Sequence, residues 1–205
     1  MVSRGGRGNE ATKGRRTVTE IETLRHSAAH ILATALLELW PEAQLAAGPP
    51  VVNGFYYDVS LSHRISPEDF PTIEEKMREV IRAGQPFVCV STTREEAEKL
   101  ALRGRLGALS ERPVPSEFKL DILRGIPEDE AITLYQNGEF LDLCAGPHVK
   151  STSLVGAVRV THVASAYYRG DEKNPQLQRV YGTAFATERE LEECLALLEE
   201  ALTLL

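Results

Sequence analysis

Apolar side chains recur every three or four residues in four stretches of the chain, as in helices with one buried face. The first stretch follows Thr17 and Thr19, which suit the position before a helix, and it stops near Pro41. The second has Pro67 near its start and Gly84 at its end. The pattern predicts helices over residues 20–39, 66–83, 94–102 and 187–204.

Between these helices lie short runs rich in β-branched and aromatic residues, which are typical of strands. Asn137-Gly138 separates two such runs and is the strongest hairpin signal in the chain. We assign strands to residues 54–59, 86–90, 118–123, 132–135, 139–143, 158–168 and 178–185. Because helices bracket strands that mostly join as hairpins, the order predicts an α+β fold, with a mostly antiparallel sheet packed with helices.

Charge is distributed unevenly along the 205 residues, whose formal net charge is −7. The first 16 residues hold five basic side chains and one acidic side chain, with many glycines and few apolar residues. Such a segment cannot bury a core, so we predict a disordered basic tail over residues 1–19 and one folded domain over residues 20–205. The tail could touch RNA phosphates through charge alone, or it could be a solubilising or organelle-targeting segment.

The sequence shows no apolar run of membrane-spanning length and no apolar core of a secretory signal. Its three cysteines are widely spaced and give no disulfide framework. We therefore expect a cytoplasmic protein with no membrane partner. Cys89 and Cys194 are expected to be small, buried hydrophobic residues.

Two motifs far apart in the chain carry reactive side chains: His26 and His30 in the first helix, and Cys144 and His148 around a Gly-Pro turn. A spacing of four places both helical imidazoles on one face. If folding joins the motifs, one cleft holds three imidazoles and a thiol, with Asp142 two residues before the thiol. That set suits metal binding or water activation. Each motif alone could equally be structural, since short motifs often match by chance.

Five segments occur in a fixed order: HSAAH at residues 26–30, NGFYYD at 53–58, LDLCAGPHV at 141–149, SAYYRGD at 165–171 and QRVYGTAF at 178–185. Together they resemble the editing domain, of the second additional type, of bacterial-type threonyl-tRNA synthetases. The histidine and cysteine pairs are shared with the related alanyl-tRNA synthetase editing domains. Nothing in the chain resembles the ATP-binding motifs of the aminoacylation core, so no ATP is expected. Ala145 departs from the resembled pattern, which usually has arginine there.

The resemblance implies a proofreading reaction, hydrolysis of the ester that joins serine to the 3′ end of tRNA(Thr). One methylene in a pocket is worth only about 1–3 kcal/mol, so binding alone separates serine poorly from threonine, and a second, hydrolytic site supplies the remaining discrimination. The implied partners are a tRNA(Thr) 3′ end carrying serine and a threonyl-tRNA synthetase.

From the residues present, His26 is a candidate general base or water positioner, with His30 and His148 holding the substrate or the attacking water. Zinc could be bound by His26, His30, Cys144 and His148, but four protein ligands would leave no open position for water. We therefore expect that no cofactor is required, and zinc stays an open alternative. Two other function classes also stay open: a non-catalytic module that binds tRNA or a synthetase, and a small zinc-dependent hydrolase.

The remaining candidate residues differ in how far the sequence supports them. The resemblance implies that Lys119 is an active-site lysine, whose ammonium could stabilise the oxyanion or assist departure of the ribose oxygen, although the sequence alone suggests an exposed strand residue. Asp142 could bind the seryl α-amino group or orient a histidine. Cys144 is a candidate nucleophile, metal ligand or size filter. Arg169 and Tyr181 are expected to bind the substrate or its RNA.

Overall fold

The computed structural model describes residues 18–203, with side chains described as far as residue 200. The tail predicted over residues 1–19 therefore lies outside the described residues, apart from Val18 and Thr19. The described part contains five α-helices: α1 (Glu20–Leu39), α2 (Phe70–Arg82), α3 (Arg94–Leu102), α4 (Glu117–Gly125) and α5 (Glu188–Thr203).

Eight strands form two antiparallel sheets in the described residues: β1 (Gln44–Leu45), β2 (Pro50–Val51), β3 (Gly54–Ser60), β4 (Val88–Thr92), β5 (Ile132–Asn137), β6 (Phe140–Leu143), β7 (Ala157–Tyr167) and β8 (Gln176–Phe185). The larger sheet has the order β1-β3-β8-β7, with β2 also paired to β3. The smaller sheet has the order β4-β5-β6. The α+β prediction is confirmed, and the Asn137-Gly138 signal marks the turn between β5 and β6.

Helix α1 begins at a reciprocal cap and runs through the core. The Thr19 hydroxyl accepts the Glu22 N–H, and the Glu22 carboxylate accepts the Thr19 N–H at 2.8 Å, so two otherwise unpaired donors are satisfied. The middle of α1 packs against α2, β3 and β8. Leu32 and Leu36 are fully buried there. The helix that carries His26 and His30 is therefore held on several sides by packing.

The two sheets have separate hydrophobic cores that meet at β6. The first core lies between α1, α2 and the inner face of the larger sheet. The second contains residues of α3, α4, β5 and β6, including Ala97, Leu123 and Leu134. Along β6, Phe140 enters the first core and the next residue, Leu141, enters the second. Because strand side chains alternate in direction, β6 forms the boundary between the two cores.

The strand predicted over residues 118–123 is wrong, because these residues lie in helix α4. The buried face of this helix contains Phe118, Lys119 and Leu123. In the sequence, the apolar residues Phe118, Leu120 and Ile122 alternate with charged residues, which is the pattern of a half-buried strand. Helical spacing was therefore hidden by the one charged residue that the helix buries.

The expectation that Cys89 is buried is also wrong. This cysteine lies on β4, an edge strand of the smaller sheet, and it is exposed together with Val88 and Val90. Cys194 is partly buried. Within residues 18–203, the helices lack the combination of length and apolar character that spans a membrane.

We expect Leu32→Ala to lower the free energy of unfolding by about 2–5 kcal/mol, because it opens a cavity in the fully buried first core. Leu197 is 67% exposed, so Leu197→Ala is a matched control that should change stability by less than about 0.5 kcal/mol. Urea unfolding followed by circular dichroism measures both. Equal losses in the two variants would contradict the assignment of α1 to the core.

Candidate active site

Folding brings the two sequence motifs together. Each of His26, His30, Cys144 and His148 offers one metal-binding atom, and these atoms all lie within 4.8 Å of one another. The two histidines of the first motif lie on α1, whereas Cys144 and His148 lie in the loop after β6. We call these four side chains the thiol–imidazole cluster. It forms beside the boundary between the two hydrophobic cores.

Hydrogen bonds orient the ring of His26 toward the thiol. Its Nδ1 lies 3.2 Å from the carbonyl oxygen of Pro147. A carbonyl can only accept, so Nδ1 carries the proton and Nε2 has a free lone pair. That Nε2 lies 3.3 Å from the sulfur of Cys144. His148 has the same arrangement, with Nδ1 at 3.1 Å from Ser27 Oγ and Nε2 at 3.2 Å from the same sulfur.

Aromatic contacts restrain the ring of His148 on both faces. Phe87 stacks on it with ring centroids 4.7 Å apart and an interplanar angle of 4°. His26 lies at 4.2 Å, and the Tyr135 ring meets the His148 ring edge-on at 4.6 Å. His30 packs edge-on against Phe140 at 5.4 Å. The imidazoles are thus held by packing as well as by hydrogen bonds.

Burial keeps the cluster uncharged. It lowers the pKa of His26, and it lowers the pKa of His148 to about 2. For His30, burial and then the neighbouring His148 hold the pKa well below its ordinary value. Burial raises the pKa of the Cys144 thiol to about 12, which the Gly146 N–H only partly opposes. At neutral pH the cluster therefore contains three neutral imidazoles and a protonated thiol.

The donor set also fits a zinc ion. Ligand atoms around tetrahedral zinc, with bonds of about 2.0–2.3 Å, lie about 3.3–3.8 Å apart. The sulfur of Cys144 lies 3.3 Å from His26 Nε2 and 3.2 Å from His148 Nε2, close to that spacing. The opposite ring nitrogens are hydrogen-bonded to Pro147 and Ser27, as is usual for metal-binding histidines. The four ligand atoms span up to 4.8 Å, so these residues could hold zinc once side-chain movement closes the wider separations.

Asp142, which precedes Cys144 by two residues, forms a buried ion pair with Lys119 of α4. The Lys119 ammonium lies 2.8 Å from the Asp142 carboxylate, and both side chains are almost completely buried. Lys119 also donates to the carbonyl of Ala46 at 2.6 Å. Asp142 accepts the Tyr57 hydroxyl at 2.6 Å and the Leu143 N–H at 2.9 Å. Lys119 is therefore an interior helical residue, and the alternative of an exposed strand lysine is wrong.

Sequence reasoning missed the partner role of Tyr57. The residue was assigned to a strand, but a buried tyrosine needs an acceptor for its hydroxyl, and that requirement could have linked it to Asp142. Burial, followed by the negative charge of Asp142, raises the pKa of Tyr57 well above its ordinary value. The Tyr57 hydroxyl therefore stays protonated and donates to the carboxylate.

Arg169 and Tyr181, the two residues predicted to bind substrate or RNA, find their partners outside the thiol–imidazole cluster. Within the described residues, Arg169 forms an ion pair with Asp121 of α4 at 2.8 Å. Tyr181 pairs across the sheet with Tyr56, and its ring stacks on His162 at 4.1 Å. Since the neighbours of Tyr181 along β8 point into the first core, its ring lies on the outer face of the larger sheet.

A cavity of about 800 Å³ lies elsewhere, between the end of α1 and residues 109–114. It is lined mainly by apolar side chains such as Leu37, Leu109 and Val114, and it includes none of the thiol–imidazole cluster. Size alone would favour this cavity as a binding site. We place the chemistry at the cluster because convergent, shifted titratable groups are the stronger indicator of reactivity.

Fold and site define the class of the protein. It is an α+β domain in which helix α1 and the loop after β6 bring three neutral imidazoles close to a thiol. Residues 132–181 match the family model described as the threonyl and alanyl tRNA synthetase second additional domain. The matched segment contains Cys144 and His148.

The chain is also similar to part of several threonine–tRNA ligases. It is 47% identical over 180 residues to that of Syntrophomonas wolfei, 49% over 178 residues to that of Rubrobacter xylanophilus, and 43% over 181 residues to threonine–tRNA ligase 1 of Bacillus subtilis. These matches cover 87–88% of this chain but only 26–27% of the relatives, so the chain spans about a quarter of their length. They confirm the resemblance drawn from the five sequence segments.

We expect Lys119→Met to destabilise the fold by about 3–5 kcal/mol, because it leaves the Asp142 carboxylate buried and unpaired. Asp142→Asn should likewise leave the ammonium without its counter-ion. The double variant should lose less stability than the two single losses together, since it removes both charges. Urea unfolding of the four proteins completes the cycle.

Lys99→Met is the matched control, because Lys99 pairs with Glu95 at 2.7 Å on the surface with both side chains mostly exposed. It should have little effect on the unfolding midpoint. Additive losses in the double variant would show that the two buried charges do not depend on each other.

Proposed function

We propose that this chain is a proofreading domain that hydrolyses the ester of serine attached in error to tRNA(Thr). The observation that carries the proposal is the convergence of neutral imidazoles on one partly buried thiol. A single S–H can donate to only one of the two nearby Nε2 atoms, so at least one imidazole lone pair is free to accept a proton. Similarity to threonine–tRNA ligases supports an editing role in translation.

The proposed reaction uses water as the nucleophile. As the water oxygen attacks the ester carbonyl carbon, its proton passes to Nε2 of His26, whose other nitrogen stays bonded to Pro147. The tetrahedral intermediate then collapses, the bond to the ribose oxygen breaks, and that oxygen takes the proton from the imidazolium. Serine and uncharged tRNA leave, and His26 returns to its neutral form. His30 and His148 hold the substrate or the water.

The other candidates have supporting roles in this proposal. Lys119 contributes a buried positive charge that favours the oxyanion, although its ammonium already contacts Asp142 and Ala46. Asp142 orients the strand end that carries Cys144. Cys144 limits the space beside the imidazoles and so disfavours the additional methyl group of threonine. A nucleophilic thiol is disfavoured because burial keeps it protonated.

A zinc-dependent hydrolase is the second candidate, favoured by the spacing of the four donor atoms. Bound by His26, His30, Cys144 and His148, zinc would act as a Lewis acid and lower the pKa of a bound water. We prefer the reaction without a required cofactor, because four protein ligands would fill the tetrahedral positions. Either mechanism needs no ATP. We also propose that the protein is cytoplasmic. Its proposed partners are the tRNA(Thr) 3′ end and a threonyl-tRNA synthetase.

The direct test is the release of labelled serine from seryl-tRNA(Thr), compared with release from threonyl- and alanyl-tRNA. We expect rapid hydrolysis of the seryl ester and little of the threonyl ester. His26→Ala should lower the rate by about 10²–10⁴-fold, because it removes the proton acceptor. A folded protein that binds tRNA but hydrolyses none of these esters would be the non-catalytic module instead.

His63→Gln is the matched control for His26→Ala. The His63 imidazole lies outside the cluster, stacked on Trp40 at 4.9 Å and 3.0 Å from Asp69. Its replacement should leave the hydrolysis rate within about twofold of the wild type, as expected for a surface substitution away from the reacting groups. An equal loss in both variants would point to unfolding rather than chemistry.

Dependence on metal separates the two mechanisms. Hydrolysis should persist after treatment with EDTA, whatever amount of zinc atomic absorption finds in protein purified without chelators. The physical reason is that a site closed by four protein ligands has no open coordination position for water, so zinc bound there would be structural. One zinc per chain, together with loss of activity on chelation and its return when zinc is added, would establish the zinc-dependent hydrolase.

A further inference from the structure

Ser27 connects the two halves of the thiol–imidazole cluster. It lies on α1 between His26 and His30, and it is completely buried. Its hydroxyl oxygen lies 2.9 Å from the carbonyl oxygen of Thr23 and 3.0 Å from the N–H of Val149. The same oxygen lies 3.1 Å from Nδ1 of His148. One buried hydroxyl therefore serves three polar partners, on α1 and in the loop after β6.

The protons on these three contacts can be assigned from what each partner is able to do. The Thr23 carbonyl can only accept and the Val149 N–H can only donate. A hydroxyl has one proton to donate and two lone pairs to accept with. All three contacts are satisfied when Ser27 donates to Thr23 and accepts from both Val149 and Nδ1–H of His148. In the opposite tautomer, Nδ1 of His148 carries no proton and would accept the hydroxyl proton of Ser27. The oxygens of Ser27 and Thr23 would then face each other at 2.9 Å with no proton between them.

We propose that Ser27 is a positioning residue that fixes His148 as the Nδ1–H tautomer and so presents its Nε2 lone pair to the cleft. His26 obtains the same tautomer from the Pro147 carbonyl, a backbone group that substitution cannot remove. For His148 the fixing group is a side chain. The consequence for the reaction rests on the proposed hydrolysis, because it is there that a misdirected ring would block the water or the substrate.

The first experiment reads the tautomer in the unmodified protein. Two-bond ¹H–¹⁵N correlation spectra distinguish protonated from unprotonated imidazole nitrogens. We expect His148 to show a protonated Nδ1 and an unprotonated Nε2. A protonated Nε2 with an unprotonated Nδ1 would overturn the proposal. This measurement needs no hydrolysis, so it decides the role of Ser27 even if the proposed function fails.

The second experiment removes the hydroxyl. In Ser27→Ala we expect the His148 signals to move toward a mixture of tautomers, kcat for seryl-tRNA(Thr) to fall about 10–100-fold, and KM to change by less than about twofold. Ser27→Thr keeps the hydroxyl and should restore the single tautomer and most of kcat. Wild-type kcat in Ser27→Ala, with the tautomer unchanged, would refute the positioning role.

Thr34→Val is the matched control. The Thr34 hydroxyl is buried on the same helix and donates to the carbonyl four residues earlier at 2.9 Å, as Ser27 does, but no imidazole nitrogen bonds to it. Its loss should lower stability without altering the His148 tautomer. If Ser27→Ala fails to fold, the wild-type tautomer and the Ser27→Thr variant still test the proposal. A mixed tautomer in folded Ser27→Thr would count against it.

Discussion

The buried ion pair between Lys119 and Asp142 is the interaction on which the rest of the structure depends. Removing two charges from water costs several kcal/mol for each, and this is offset only when every remaining polar atom finds a partner. Here the Ala46 carbonyl, the Tyr57 hydroxyl and the Leu143 N–H complete the arrangement. The pair joins α4 to β6, and Tyr57 joins both to the larger sheet. Because Cys144 follows Asp142 by two residues, this ion pair also helps to fix the position of the thiol.

The protonation states of the clustered side chains come from burial as much as from residue identity. An exposed histidine titrates near neutral pH, but desolvation keeps the imidazoles of His26, His30 and His148 neutral, so their lone pairs remain available. The same desolvation keeps Cys144 protonated and makes it a poor nucleophile. One physical cause therefore favours base catalysis or metal binding and disfavours an acyl-thiol route.

Local sequence signals were sufficient for much of the fold. Capping residues and breakers located α1 and α2, and Asn137-Gly138 located the β5–β6 hairpin. The shared cleft of the two histidine motifs was only a conditional expectation, because nothing local in either motif determines whether the two meet; the structure brings them together. Helix α4 was missed, since its buried lysine is explained only by a carboxylate 23 residues away. Ser27 and Tyr57 were missed for a related reason: their hydroxyl partners are distant in sequence, so no local pattern reveals them. The outer-face position of Tyr181 likewise depends on which sheet face α1 covers.

The separation of the two motifs along the chain has a consequence for when the site exists. Cys144 lies 118 positions after His26, its neighbour in the cleft. During synthesis on the ribosome, α1 emerges long before the loop that completes the cluster, so the burial that lowers the pKa values of its imidazoles is incomplete until that loop packs against it. The thiol–imidazole cluster is thus a property of the complete tertiary structure, because its two halves come from distant parts of the chain.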